Sequence, residues 1–374
     1  MIRFISLLSL LFCSVVCAQD VNRPSYSFTP MGWISTNFRI FSGAYAVSST
    51  GRIAVGAISS PIGWRPYIWD KREGLRMISL PTGWVQHSYA YDISSINRFD
   101  HIIVGSAWSV TERRTEAFVY SEFELKGLGV LGSLPQPISE AEAVSGDGTV
   151  VAGYSSSPIG IQLFRWDNDG MVGLGTAPRP NGEIRVGGIS RDGKTIVGWT
   201  EYTDPTISEP FIWSHDLGLQ FFPPLDERFP FTHFTDVSAD GGIVLGYGQT
   251  KNGIRSFWQA NRPTPGPHIT MIRIPSGWGV LDMEAYGMTS DGQSIVGSYW
   301  NTSQIAHTFF ADKNGQVYDI QERLENAGID MSGWTLNRAS DLSDNGRTIV
   351  GWGTNIRNSV PSAKEGWVAF MPLN

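Results

Sequence analysis

The sequence predicts an all-β fold: a seven-bladed β-propeller of four-stranded antiparallel blades, closed by an N-terminal strand that completes the last blade. Three observations predict it. One short phrase recurs seven times at a spacing of about fifty residues. Each recurrence is followed by the same aromatic second half. A segment near the N-terminus resembles the piece that the last repeat lacks.

The phrase is a small or aromatic residue, apolar-Ser, an Asp-Gly turn, then apolar-Val-Gly. It reads AYAVSSTGRIAVG at 44–56, AEAVSGDGTVVAG at 141–153 and VGGISRDGKTIVG at 186–198. It returns as FTDVSADGGIVLG at 234–246, AYGMTSDGQSIVG at 285–297 and ASDLSDNGRTIVG at 339–351. A looser copy, AYDISSINRFDHIIVG at 90–105, has three extra residues in its turn. Its hydroxyl residues are Ser48, Ser94, Ser145, Ser190, Ser238, Thr289 and Ser343, at steps of 46, 51, 45, 48, 51 and 54 residues. That period suits propeller blades of four short strands.

The second half is an aromatic strand such as PYIWD ending at Asp70, EAFVY at Tyr120, LFRWD at Asp167 or PFIWS at Ser214. A Gly or Asn turn follows, and then a fourth apolar segment. Strands of four to six residues between such turns are the hairpin signal. The last unit ends with its third strand, GWVAFMP at 366–372. SYSFTPMGW at 25–33 resembles the fourth-strand phrases MISLPTGW at 77–84 and MIRIPSGW at 271–278. Residues Tyr26–Met31 are therefore expected to pair with Trp367–Met371, hiding both free sheet edges. One segment departs from the pattern. Asp319–Asn326 places Ile320 and Leu324 at i, i+4 before Gly328, which predicts a short helix near 319–327.

Composition fits an all-β chain rich in turns: 374 residues, 42 glycines, 12% aromatic and 17% charged. A net charge of −7 offers no general surface for nucleic acid. Residues 1–18 read as a secretory signal peptide: Arg3, an apolar stretch from Phe4 to Val16, and cleavage after Ala18. A lipoprotein signal acylated at Cys17 ranks second, because Val16 is a poor fit to the small residue that signal prefers. Export to the periplasm, the medium or the cell surface is the expectation. Cys13 and Cys17 both lie in this leader, so the mature chain is expected to have no disulfide, catalytic thiol or cysteine metal site. Residues 19–374 then form the propeller, with a net charge of −8, no further long apolar segment and no transmembrane span; a monomer is expected.

These phrases resemble the bacterial HAF-type extracellular repeat. EAFVY at 116–120, GLGVLGSL at 127–134 and especially GIDMSGWTLNRASDLSDNGRTIVGWGTN at 328–355 carry the resemblance; His307-Thr308-Phe309 comes nearest to the eponymous His-Ala-Phe. It covers nearly all of residues 26–374. It implies a secreted or surface propeller-like protein and no particular activity.

The pairs Asp147-Gly148, Asp192-Gly193, Asp240-Gly241 and Asp291-Gly292 read as hairpin turns on separate blades, not as calcium or catalytic carboxylates. Asp167–Gly170 and Asp312–Gly315 lack the further ligands of a calcium loop. No serine lies in a Gly-x-Ser-x-Gly elbow, and no histidine spacing suggests zinc. The repeated hydroxyls are expected to bond nearby backbone. No cofactor and no metal are expected, and no catalytic residue is assigned. Trp69, Trp166, Trp213 and Trp258 recur in third strands, and Trp33, Trp84, Trp278 and Trp334 after fourth strands; both sets read as packing. Trp64, Trp108, Trp199, Trp300 and Trp352 read as lying in or beside loops that join second and third strands, without matched positions.

In a propeller those loops, and the loops from fourth strand to next blade, share one face. Here that face has the longer segments, such as Trp199–Ser208 and Phe222–His233. The residue just before each inner strand is expected to rim the central opening there: Gly43, Tyr89, Glu140, Arg185, His233, Glu284 and Arg338. Five of these seven are ionisable in a chain poor in charge, which points to a small polar or sugar-like ligand. The leading expectation is a non-enzymatic binding module for an extracellular glycan or protein. The alternatives are a glycan-active enzyme with Glu140 or Glu284 as acid or base, and a structural envelope protein without a discrete ligand.

Overall fold

A computed structural model describes residues 25–33, 41–84, 87–95, 101–121, 124–132, 134–204, 207–222, 231–249, 255–261, 269–271, 276–357 and 363–372. The predicted leader, with Cys13 and Cys17, lies outside these residues, as does the enlarged turn at 96–100.

Among the described residues the strands form seven four-stranded antiparallel sheets. Sheet 1 holds Ser42–Val47, Ile53–Ser60, Gly63–Asp70 and Gly74–Met77. Sheet 2 holds Tyr89–Ser95, His101–Ser109, Arg114–Ser121 and Glu124–Gly127. Sheet 3 holds Ser139–Val144, Val151–Ser157, Gly160–Asp167 and Gly170–Thr176. Sheet 4 holds Glu183–Ile189, Thr195–Glu201, Pro210–Ser214 and Gly218–Phe221. Sheet 5 holds Phe231–Val237, Ile243–Gln249, Arg255–Asn261 and Ile269–Met271. Sheet 6 holds Val280–Met288, Ile295–Asn301, Ala306–Ala311 and Val317–Asp319. Sheet 7 holds Trp334–Leu342, Thr348–Asn355, Lys364–Phe370 and, from the other end of the chain, Ser27–Pro30. The first strand of each sheet packs against that of the next, and the first strand of sheet 7 packs against that of sheet 1, so the propeller ring closes.

The closing strand lies in the expected place. Ser27 pairs with Phe370 and Pro30 with Trp367, and the Met31 amide donates to the Gly366 carbonyl at 2.8 Å. Phe28 meets Trp334 edge to face at 5.0 Å, over the fully buried Trp367. Met31 then crosses to sheet 1, where the Tyr67 hydroxyl meets its sulfur at 3.0 Å. The predicted helix forms at Ile320–Asn326, with Asp319 as its N-cap accepting from the Glu322 amide. Ile320 and Leu324 are the buried residues of its apolar stripe.

The recurring hydroxyl closes the first hairpin. Ser145 accepts from the Val150 amide at 3.0 Å and donates to Asp147 at 2.6 Å, and Asp147 accepts from the Thr149 amide. Ser190, Ser238, Thr289 and Ser343 repeat the arrangement, with Asn345 standing for the Asp in sheet 7. Ser94 differs, donating to the Gly146 carbonyl of the next sheet. These turns also link sheets: Arg191 N donates to Ala239 O, and Ala239 N to Ser290 O. Their carboxylates are thus engaged within their own hairpins. Asp167 and Asp312 likewise accept backbone amides of their own turns.

Between sheets the core is apolar. Trp69 and Trp213 are buried, as is Trp334, whereas Trp166 is half-buried beneath the Lys126 ammonium. The Trp258 side chain lies outside the described set. Among the described residues no helix is long and apolar enough to cross a membrane.

Candidate functional site: a cavity on the propeller axis

Each predicted rim residue stands directly opposite the residue that follows the Val-Gly of its own repeat. The pairs are Gly43 with Ala57, Tyr89 with Ser106, Glu140 with Tyr154, Arg185 with Trp199, His233 with Tyr247, Glu284 with Ser298 and Arg338 with Trp352. This corrects the reading of four tryptophans as lacking matched positions. Trp199 and Trp352 lie within second strands, at one matched position that Tyr154 and Tyr247 share. Trp108 and Trp300 share a second matched position near the ends of their second strands, opposite Thr115 and Ala306 of the third strands, and Trp64 begins a third strand opposite Ser59.

The rim does not present an open ring of free charges. Glu140 accepts the Tyr91 hydroxyl at 2.8 Å, and Glu284 accepts that of Tyr286. Arg185 lies over the Tyr154 ring and pairs with Glu183 at 2.7 Å and Glu201 at 3.2 Å. His233 is buried, stacked on Trp199 with ring centroids 4.5 Å apart, and its Nδ1 is hydrogen-bonded with the Tyr247 hydroxyl at 2.7 Å. Tyr89 stacks between Trp64 and Tyr91. The physical reason is the cost of leaving charge unpaired in a crowded, weakly polar neck. Of the predicted site residues, only Arg338, Trp199 and Trp352 line the central cavity.

What does line it is a second ring, two residues further along each inner strand. Every one of the seven sheets slips register at the same place: between Ala44 and Ala46, Ala90 and Asp92, Ala141 and Ala143, Val186 and Gly188, Phe234 and Asp236, Ala285 and Gly287, and Ala339 and Asp341. The extra residue of each bulge is Tyr45, Tyr91, Glu142, Gly187, Thr235, Tyr286 or Ser340. All seven line one cavity of about 440 Å³, with Phe41, Trp199, Arg338 and Trp352. A bulge re-aims one side chain without ending the ladder; seven in register aim seven residues at one space. Phe41 takes part because blade 1 has Gly43 at its rim position. A Cβ there would stand 2.6 Å from the Phe41 ring, so the absent side chain is what admits Phe41, which packs edge to face on Trp64.

The lining divides by chemistry. Sheets 7, 1 and 2 contribute aromatics: Trp352 and Phe41 at 6.1 Å, then Tyr45 stacked near Tyr91. Trp199 of sheet 4 and Tyr286 of sheet 6 add two more rings, and Glu142, Thr235, Arg338 and Ser340 supply the polar groups. Thr235 Oγ1 and Ser340 Oγ are buried and make no hydrogen bond. Glu142 accepts the Val186 amide of the next sheet at 2.7 Å, and burial lifts its carboxyl to about 8.

Beyond this ring the neighbouring residues clasp adjacent sheets. Asp92 accepts from Val144 N, Asp236 from Met288 N and Asp341 from Val47 N, at 2.8–2.9 Å, and each also accepts an amide of its own strand. Burial lifts all three carboxyls, Asp236 to about 7. Among the described residues no three His, Cys, Asp or Glu side chains are grouped so as to hold a metal ion. Of the two longer loops, residues 205–206 and 223–230 lie outside the described set.

No protein-family model matches the chain, and no curated protein sequence matches it. Solved structures do. An oligogalacturonate lyase from Vibrio parahaemolyticus is similar at a TM-score of 0.60 and 10% identity, over 93% of this chain and 98% of that one. An oligogalacturonate lyase solved with manganese is similar at 0.59 and 11%, over 93% and 97%. A prolyl endopeptidase is similar at 0.55 and 9%, over 86% of this chain and 47% of that one. At these identities the likeness shows a shared β-propeller fold.

Proposed function

We propose that this protein is an exported, non-enzymatic binding propeller that takes a small, sugar-like ligand in its axial cavity. The observation that carries the reading is the convergence of all seven bulge residues on one space, with Trp199 and Trp352 in its wall and two buried hydroxyls lacking partners. Indole faces stack on the C–H face of a sugar ring. Buried, unsatisfied hydroxyls cost free energy until a ligand bonds them. The volume falls in the range of about 300–1,000 Å³ usual for small-molecule sites. Export rests on the leader at residues 1–18, and membership of the HAF-type repeat family on the repeated phrases.

An acid–base role for Glu140 and Glu284 has less support. They stand on sheets 3 and 6, which are not adjacent, and each is engaged by a tyrosine hydroxyl. Hydrolysis across one glycosidic bond asks for carboxyls about 5–10 Å apart flanking it.

The test is a glycan array followed by calorimetry on the best hits. Binding is expected at one site per chain, weakened at least tenfold in Trp199→Ala and in Trp352→Ala. A hit whose affinity neither substitution changes would place the ligand elsewhere. Turnover of a bound glycan by the wild-type protein would replace binding with catalysis.

A further inference from the structure

We propose that the ligand of the axial cavity is an acidic saccharide, its carboxylate held by the Arg338 guanidinium beside the Trp352 indole. This rests on the small-ligand reading of the same cavity.

Arg52, Arg114, Arg165, Arg179, Arg185, Arg191 and Arg357 each pair with a carboxylate; others, such as Arg65 and Arg323, have no ion pair among the described residues, but they stand outside the axial cavity. Arg338, in the cavity wall, makes no ion pair and no hydrogen bond among the described residues. Its one strong contact is with the face of Tyr286, Cζ to ring centroid 3.6 Å. Stacking of a planar cation on a ring leaves its N–H edge unused, and that edge is a fork shaped for a carboxylate. The Lys364 ammonium lies 4.3 Å over the Trp352 ring and likewise has no ion pair among the described residues. Arg338 and Trp352 are paired across the strands and both line the cavity, so two cations without an ion pair among the described residues stand on this side of it, Arg338 in the wall and Lys364 over the indole. An anion bound there offsets the cost of the half-buried charge.

The rest of the lining fits a sugar that carries this anion. Ser340 lies two residues from Arg338 on the same strand, and Thr235 supplies the second hydroxyl without a partner. Rotation about χ1 turns either hydroxyl toward the cavity, where it can bond a ring hydroxyl. Glu142 is the cavity's own carboxyl. Arg185, Glu140 and Glu201 act on it electrostatically, and Tyr91 and Tyr154 stand in the same network of acids and phenols. With its carboxyl held near 8, Glu142 is mostly uncharged at pH 7. It then donates a hydrogen bond and does not repel the ligand's carboxylate.

The test uses matched probes: glucuronate against glucose and galacturonate against galactose, each also as its disaccharide, by calorimetry on the full chain. The acidic member is expected to bind at least tenfold tighter. Arg338→Gln should erase that preference and Arg338→Lys should keep part of it, with thermal unfolding showing that both variants fold. Uronate affinity should fall about tenfold from pH 7 to 9 in the wild type, and Glu142→Gln should flatten that fall. Equal binding of acidic and neutral partners, or a preference that survives in Arg338→Gln, overturns the assignment while leaving a sugar site. Failure of every probe, and of the glycan array, overturns the sugar site as well.

Discussion

A methyl group on Gly198 would stand 2.0 Å from the carbonyl oxygen of Arg185, and the same holds within a few tenths of an ångström at Gly56, Gly105, Gly153, Gly297 and Gly351. The glycine of the recurring Val-Gly is thus explained by sterics: the rim residue's carbonyl occupies the space a side chain would need. Gly198→Ala is expected to cost about 3 kcal/mol or more, since backbone must shift. Gly277→Ala, with nothing within 4 Å, should stay within about 0.5 kcal/mol. Urea unfolding of the two variants checks this. At this scale the sequence was half legible. The rim position was readable from repeat phase, but the partners that neutralise it come from cross-strand neighbours and adjacent sheets, as Tyr91 does for Glu140. The matched position of Trp199 and Trp352 is legible too, one residue past each Val-Gly.

The repeating elements are hairpins closed by one hydroxyl and sharpened by one bulge. Ser190 accepts from the Thr195 amide and donates to Asp192, in a buried position. Ser190→Ala leaves that amide unsatisfied and is expected to lower stability by about 1–3 kcal/mol, measured by urea unfolding. Ser190→Thr should recover most of it, since Thr289 fills the same role in sheet 6. The hairpins, the strand order within each sheet, the short helix and the closing strand were legible because turn chemistry and alternation are local signals. The bulge was not. A bulge changes pairing by one residue, and only the partner strand reveals it. With it went the seven residues of the cavity wall: period-two alternation from the rim points to Tyr45, Tyr91 and Glu142, but nothing local says that the strand aims them inward.

For the whole molecule, the half-buried carboxyls around the axis set how stability depends on pH. Asp236 near 7 and Glu142 near 8 hold protons in the folded state that the unfolded chain releases near pH 4, and burial lifts Asp92 and Asp341 in the same direction. The folded state therefore binds more protons between pH 4 and 8, so stability is fully present at the acid end of that window and falls as pH rises. For a carboxyl moved from 3.8 to about 7, about 4 kcal/mol is the upper bound on its share of that fall, reduced by solvent reaching its side chain. Asp240 works in the opposite sense. The Ser238 hydroxyl and the Gly242 amide hold its carboxyl low, so its contribution is lost only as pH drops below the usual carboxylate range. Urea midpoints should thus be higher at pH 5 than at pH 8.5, and Glu142→Gln should narrow the gap; a midpoint that rises with pH would contradict the assignment.

Both the clasps and the axial cavity exist only if the ring is closed by strands from the two ends of the chain. Amide hydrogen exchange tests this most directly. Residues 26–31 and 366–371 should exchange together, slowly, at the rate set by opening of sheet 7. Exchange of 26–31 at the rate of an unstructured peptide, with 366–371 still protected, would mean that the ring is not closed by the N-terminal strand.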